Sequence, residues 1–192
     1  MRVPIRAALA TLVLAVLTGL VYPLVMTGFG QIALHHKADG SLVTANGRNI
    51  GSLMIGQLWQ GPRWFYGRPS AVSYDASTSS GTNLGPNSRP LAQEIRGRVL
   101  AIEGLERPYH SGLNASQIPV DLLTASGSGL DPDISPAAAM FQAPRVAAVR
   151  HVPLARVQAL IRSLIQGRTL GFLGEPRVNV LDLNLALQHL SP

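Results

Sequence analysis

The turn Ser126-Gly127-Ser128-Gly129 and the aspartates after it, Asp131 and Asp133, are the residues whose types and spacing could do chemistry. Ser128 could serve as a nucleophile with a remote His and Asp, which would make the chain a serine hydrolase. The G-x-S-x-G elbow needs a glycine two residues before the nucleophile, and Ser126 occupies that place. A Ser-x-x-Lys nucleophile is excluded, because Leu34 stands three residues before Lys37, the sole lysine. Asp131 and Asp133 resemble half a calcium loop, but Pro132 and Ile134 break the pattern. The expected role of Asp131-Pro132 is a turn whose carboxylate caps nearby amides. His35, His36, His110, His151 and His189 lie too far apart for metal-ligand spacing, and cysteine is absent. No P-loop, G-x-G-x-x-G or H-E-x-x-H motif occurs. The expectation is a chain with no catalytic residues, no metal and no cofactor bound on its own.

These residues lie far from the chain's longest apolar stretch. Between Arg6 and Lys37 there is no Asp, Glu, Lys or Arg, and residues 7–29 are largely apolar. As a helix rising 1.5 Å per residue, that stretch spans roughly 35 Å, enough to cross a hydrocarbon core of about 30 Å. It is too long for a signal-peptide core and ends without a convincing cleavage site, so an uncleaved anchor is expected. The expected division is a short cytoplasmic N-terminus over residues 1–6, a transmembrane helix over 7–30 and an accessory domain over 31–192. Arg2 and Arg6 favour a cytoplasmic N-terminus, which puts the domain outside, in the periplasm of a Gram-negative cell. Any hydrolase using Ser128 would then be an anchored periplasmic one. Within the anchor, Gly19 lets another helix approach closely and Pro23 should bend the helix. Both are candidate docking positions, in contact with lipid or a partner. The formal charge of +6 comes from scattered arginines, with no dense run to hold a nucleic acid.

The domain reads as α+β, mixed and helix-rich. Residues 41–45 and 50–55 could pair as a hairpin around an Asn46-Gly47 turn. Trp59 and Trp64-Phe65-Tyr66 should pack as a small aromatic core. Residues 70–89 keep no helix or strand period, and a loop this long is usually functional or disordered. Residues 90–105 read as a helix with Pro90 in its first turn, and 119–125 as a second, short one. Ser135-Pro136 starts a helix that must kink or break at Pro144. Leu154, Val157, Leu160, Ile161, Leu164 and Ile165 form one amphipathic stripe. The end alternates leucines like a strand, yet Asn179 with Asp182 resembles a helix cap, and helix is expected.

Several ordered stretches resemble one known family. They are Gly51-Ser52, Ile55-Gly56-Gln57 and Phe65-Tyr66-Gly67-Arg68-Pro69-Ser70-Ala71 with Tyr74; Ser80-Gly81-Thr82-Asn83-Leu84-Gly85-Pro86; Ile118-Pro119-Val120-Asp121; and Thr124-Ala125-Ser126-Gly127-Ser128-Gly129-Leu130-Asp131-Pro132 with Gln142 and Arg145. Gly174-Glu175-Pro176 and Asn184-Leu185-Ala186-Leu187 complete the pattern. With the anchor, these stretches resemble the KdpC family of the bacterial Kdp potassium-transporting P-type ATPase over nearly the whole chain.

The resemblance implies a non-catalytic accessory subunit, sometimes described as a catalytic chaperone, in the inner membrane. Its implied partners are a P-type ATPase pump subunit, a potassium-channel-like subunit and a small helical subunit. ATP enters as a ligand of the complex, and the family's nucleotide-contact glutamine falls on Gln142. A domain outside the membrane cannot reach cytoplasmic ATP, so the two implications conflict. Pro144 stands where a helix former is expected, and a bend there would reorient Gln142. Residues 70–87 and 126–133 then become candidates for docking or for shaping ion access: Arg68, Ser70, Tyr74, Ser80, Gly81, Asn83, Ser126, Gly127, Ser128, Gly129 and Asp131, with Arg145.

Overall fold

A computed structural model describes residues 2–45 and 47–190 and divides the chain into two compact units, Met1–Leu42 and Val43–Pro192. Asn46, half of the expected turn, lies outside the described residues.

The first unit is chiefly helical. α1 (Arg2–Val16), a π-helical turn (Leu17–Val21) and α2 (Tyr22–Ala33) form one run, Arg2–Ala33, long and apolar enough to cross a membrane. A short α3 (His35–Ala38) follows. The expected bend at Pro23 has a local counterpart in that π turn. Proline offers no N–H to the Gly19 carbonyl and its ring crowds that oxygen. The ladder slips by one residue just before it, where Tyr22 donates to the Leu17 carbonyl. The hydroxyls of Thr11 and Thr18 donate to the carbonyls of Ala7 at 2.9 Å and Leu14 at 2.7 Å, so neither donor is left bare in an apolar setting.

The second unit mixes helices with two small sheets. β1 (Leu42–Ala45) and β2 (Arg48–Ser52) make one two-stranded sheet, shorter than the expected hairpin. β3 (Asp133–Ile134) and β4 (Val178–Asn179) make the other, antiparallel, with Asp133 opposite Asn179 and Ile134 opposite Val178. α4 (Arg89–Glu106) begins where the Ser88 hydroxyl accepts from Leu91 N–H. α5 (Pro136–Arg150) begins where the Ser135 hydroxyl accepts from Ala138 N–H at 3.0 Å. α6 (Leu154–Ser163) and α7 (Val180–Gln188) complete the unit, and Asn179 caps α7 by accepting from Asp182 N–H at 3.1 Å. The capped helix is the outcome expected over a strand.

The core forms around α5. Its buried face is made of small residues, Ala138, Ala139, Ala143 and Ala147 with Val146. Small side chains let Val157 and Ile161 of α6 pack in close, and Leu183 and Leu187 of α7, which packs beside α6, join the same core. Phe65 is fully buried among them, a contribution of about 1.5–3 kcal/mol for a side chain of that size.

One open alternative closes and one expectation needs correction. Of the kink or break expected at Pro144, the break does not occur: α5 runs through the proline as one helix, with Ala143 and Val146 buried on either side. Residues 119–125 do not form an α-helix. Only a 3₁₀ turn, Val120–Leu122, forms, and the carbonyls of Thr124 and Ala125 turn instead to the Arg68 guanidinium.

Candidate functional site

The long polar loop is ordered by the glycine-rich turn. Ser126 N–H donates to the Pro69 carbonyl at 3.1 Å, and Ser80 N–H to the Ser128 carbonyl at 3.0 Å. The Ser70 hydroxyl donates to the Gly129 carbonyl at 2.6 Å while accepting from Val72 and Tyr74 N–H. Gly129 has a φ of +69°, and a Cβ there would lie 2.6 Å from Val72 Cγ2 and 2.8 Å from the Ser80 carbonyl oxygen. Gly81 approaches similarly: its Cβ would meet the Gly127 carbonyl oxygen at 3.0 Å. The structure thus brings Ser70, Ser80, Gly81, Ser126, Gly127, Ser128 and Gly129 into one lock. Asn83, with a φ of +53°, is exposed.

One end of the lock is electrostatic. Arg68 pairs with Asp131 at 3.3 Å, each side chain 28% exposed, and also reaches Thr124 and Ala125. The other Asp131 carboxylate oxygen accepts from Asp133 N–H at 3.1 Å, the amide-capping turn expected from Asp131-Pro132. The Tyr74 hydroxyl donates to the Arg68 carbonyl at 2.6 Å. Burial, and then the Asp131 carboxylate, push the Tyr74 phenol up to about 12, although Arg68 pulls the other way.

Ser128 Oγ accepts from Leu130 N–H at 3.1 Å, the work of a turn residue. Among the described residues no group of three or more His, Cys, Asp or Glu could hold a metal ion.

Gln142 and Arg145 belong to a second, buried network. Gln142 is 2% exposed and Arg145 fully buried, so α5 offers neither to solvent. The Gln142 amide brackets one residue of the aromatic segment: Oε1 accepts from Tyr66 N–H at 2.8 Å and Nε2 donates to the Tyr66 carbonyl at 3.1 Å. Asn184 on α7 does the same for Phe65, at 2.9 Å and 3.0 Å. Two side-chain amides thereby satisfy backbone groups that no strand partner satisfies. Arg145 donates to Gln142 Oε1 at 3.0 Å, to the Trp64 carbonyl at 2.9 Å and to the Pro62 carbonyl, and its guanidinium lies over the Tyr66 ring. Its charge is met by Glu106 at 2.7 Å. Burial pushes the Glu106 carboxyl above its ordinary value, against the pull of Arg145 and His110. His110 stacks on Phe141 and bonds the Phe141 carbonyl at 2.8 Å.

Sequence reasoning did not single out Glu106 or Asn184 as site residues. Asn184 left a trace, a polar residue inside a leucine-rich helix. Glu106 left none, since a glutamate at the end of α4 looks like any solvated one. Gly19 and Pro23 lie in the first unit, where a Cβ on Gly19 would meet no atom within 4 Å.

The sequence matches the family described as "KdpC: K+-transporting ATPase, c chain" over residues 5–189. Similar proteins include the "Potassium-transporting ATPase KdpC subunit" of Methylobacterium nodulans, 49% identical, with 93% of this chain and 92% of the relative covered. The protein of that name from Paraburkholderia phymatum is 51% identical, with 91% and 90% covered. Its counterpart from Acidobacterium capsulatum is 48% identical, with 96% of each chain covered.

Proposed function

The chain belongs to the KdpC family, and from that premise we propose that it is the membrane-anchored accessory subunit of an ATP-driven potassium-uptake complex. It supports assembly of the complex and the pump subunit's affinity for ATP, and performs no chemistry itself. The observation that carries this reading is a family match running through both the apolar helix and the domain, residues 5–189. The partners are a P-type ATPase pump subunit, a potassium-channel-like subunit, a small helical subunit and membrane lipid. The anchor crosses the inner membrane with Arg2 and Arg6 on the cytoplasmic side, and the domain lies in the periplasm.

ATP bound in the cytoplasm is out of reach from that position, so the domain acts on nucleotide affinity through its partners. The bonding of Gln142 supports this: its amide already serves Tyr66 and Arg145. The lock between residues 70–81 and 126–131 gives a stiff loop surface suited to docking. In cells starved of potassium, tagged full-length protein is expected to co-purify with an ATP-hydrolysing and a channel-like subunit. Recovery as a lone monomer would sink the reading. A single cysteine placed between residues 77 and 83 should react with an impermeant thiol reagent in intact cells, whereas protection until lysis would put the domain inside.

A further inference from the structure

Between α6 and β4 the second unit carries a hairpin finger in which residues 165–176 are exposed without interruption. Gln166 pairs with Arg177 at its base and Thr169 with Leu173 near its tip. The tip, Thr169-Leu170-Gly171-Phe172-Leu173-Gly174, holds no charged residue. Leu170 is 79% exposed, Phe172 68% and Leu173 49%. Leu170 also has a φ of +54°, a left-handed conformation that Gly or Asn adopts at less cost. Backbone and water alike disfavour a large apolar side chain there, and nothing within the domain covers it.

Three features say what covers the tip. Its amides are closed on themselves: Thr169 and Leu173 N–H donate to each other's carbonyls at 2.9 Å, Gly171 N–H to the Arg168 carbonyl at 3.1 Å and Phe172 N–H to the Thr169 carbonyl at 3.3 Å. Hydrocarbon offers a bare amide no partner, so these side chains can enter lipid without that penalty. The same closure leaves those amides unable to add a strand from a protein partner. Charge stands directly behind the apolar cap. Arg168 Nη2 donates to both Glu175 oxygens at 2.8 Å, and Arg177 pairs with Asp133 at 3.0 Å. An apolar tip above a basic, solvated collar matches the order of layers in a bilayer, acyl chains and then headgroups. Finally, nine residues, 34–42, join the apolar run to the second unit, a reach of at most roughly 35 Å. On so short a tether, contact with lipid is intramolecular and needs little intrinsic affinity. We propose that the finger inserts Leu170, Phe172 and Leu173 into the acyl-chain boundary of a phospholipid bilayer, with Arg168 at headgroup level. This rests on the anchor reading and is independent of which side of the membrane holds the domain.

The test uses the full-length chain, which has no cysteine of its own, in vesicles of phosphatidylcholine and phosphatidylglycerol. The ratio of collisions with oxygen to collisions with a polar nickel complex is read from a nitroxide on Phe172→Cys and, as a control, on Ala76→Cys in an exposed loop. The ratio should be at least about fivefold higher at residue 172, because hydrocarbon excludes the polar complex. Leu170→Cys should read as Phe172→Cys does. In the co-purified complex, a photo-crosslinking amino acid at Phe172 should form an adduct with phospholipid. Equal ratios at the tip and at residue 76 would overturn the proposal, as would an adduct with another subunit or a second copy of this chain. Vesicles that float without the chain would bring down the anchor reading, and the proposal with it.

Discussion

Replacing Gln142 by alanine separates a structural glutamine from a nucleotide-contacting one. The substitution removes three hydrogen bonds: from Tyr66 N–H at 2.8 Å, to the Tyr66 carbonyl at 3.1 Å, and from Arg145 at 3.0 Å. The two neutral bonds contribute about 1 kcal/mol each and the charged one about 1.5–3 kcal/mol. The expected loss is therefore about 3–5 kcal/mol, a large part of the ~5–15 kcal/mol that stabilises an ordinary domain. Gln142→Glu keeps both acceptor bonds but sets a carboxyl oxygen against the Tyr66 carbonyl in a buried site, so it must either protonate to donate there or carry a buried charge, and it too is expected to destabilise, by at least about 1–3 kcal/mol. Urea unfolding of the full-length chain in detergent, without nucleotide, reads both. Trp59 and Trp64, with ring centroids 5.0 Å apart next to the affected segment, supply the fluorescence signal. If Gln142→Ala falls within about 0.5 kcal/mol of wild type, the range of an ordinary surface substitution, the reasoning is refuted, and a solvent-facing, ligand-binding role for the side chain returns.

Two further predictions concern the loop lock. Tyr74, with its phenol raised from 10.0 to about 12, stays protonated in the fold where the unfolded chain ionises, so its contribution is complete below pH 10.0 and lost as pH rises through about 12. The phenolate difference spectrum of wild type against Tyr74→Phe should place the Tyr74 step near pH 12, and a step at 10 would refute the burial argument. Gly129→Ala should destabilise by at least about 2 kcal/mol, combining a left-handed backbone with close contacts. Gly127→Ala, whose Cβ would meet nothing within 4 Å, should stay within about 0.5 kcal/mol in the same urea experiment. Equal effects at the two glycines would contradict the close approach seen at Gly129.

What the sequence disclosed and what it hid divide by the range of the interaction. α4, α5 and α7 were legible because their starts are set within three residues, by Ser88, Ser135 and Asn179 acting on the amides of Leu91, Ala138 and Asp182. The expectation failed where a distant group outcompeted the local preference. Residues 119–125 have adequate helix formers, but a run that short is marginal alone, and Arg68 claims the carbonyls of Thr124 and Ala125 from more than fifty residues away. At Pro144 the local rule left a kink or a break open, and the break does not occur: α5 continues through the proline with Ala143 and Val146 buried on either side.

The same division explains why the site was only half visible. Residues 70–89 read correctly as lacking a period, but that said nothing of their order. Their partners, Ser128 and Gly129, lie about fifty to sixty residues on, and bonds to backbone carbonyls leave no mark on residue type. Gln142 was the hardest case, because a glutamine on a helix is usually solvated and this one faces Tyr66, 76 positions earlier. Once the aromatic segment is buried without a strand beside it, its peptide groups must find side-chain partners. Asn184 and Gln142, each able to donate and accept through one planar group, are suited to that role in a way that Ser, Lys or Glu is not. The requirement that selects them is thus imposed by the fold of a segment more than seventy residues away.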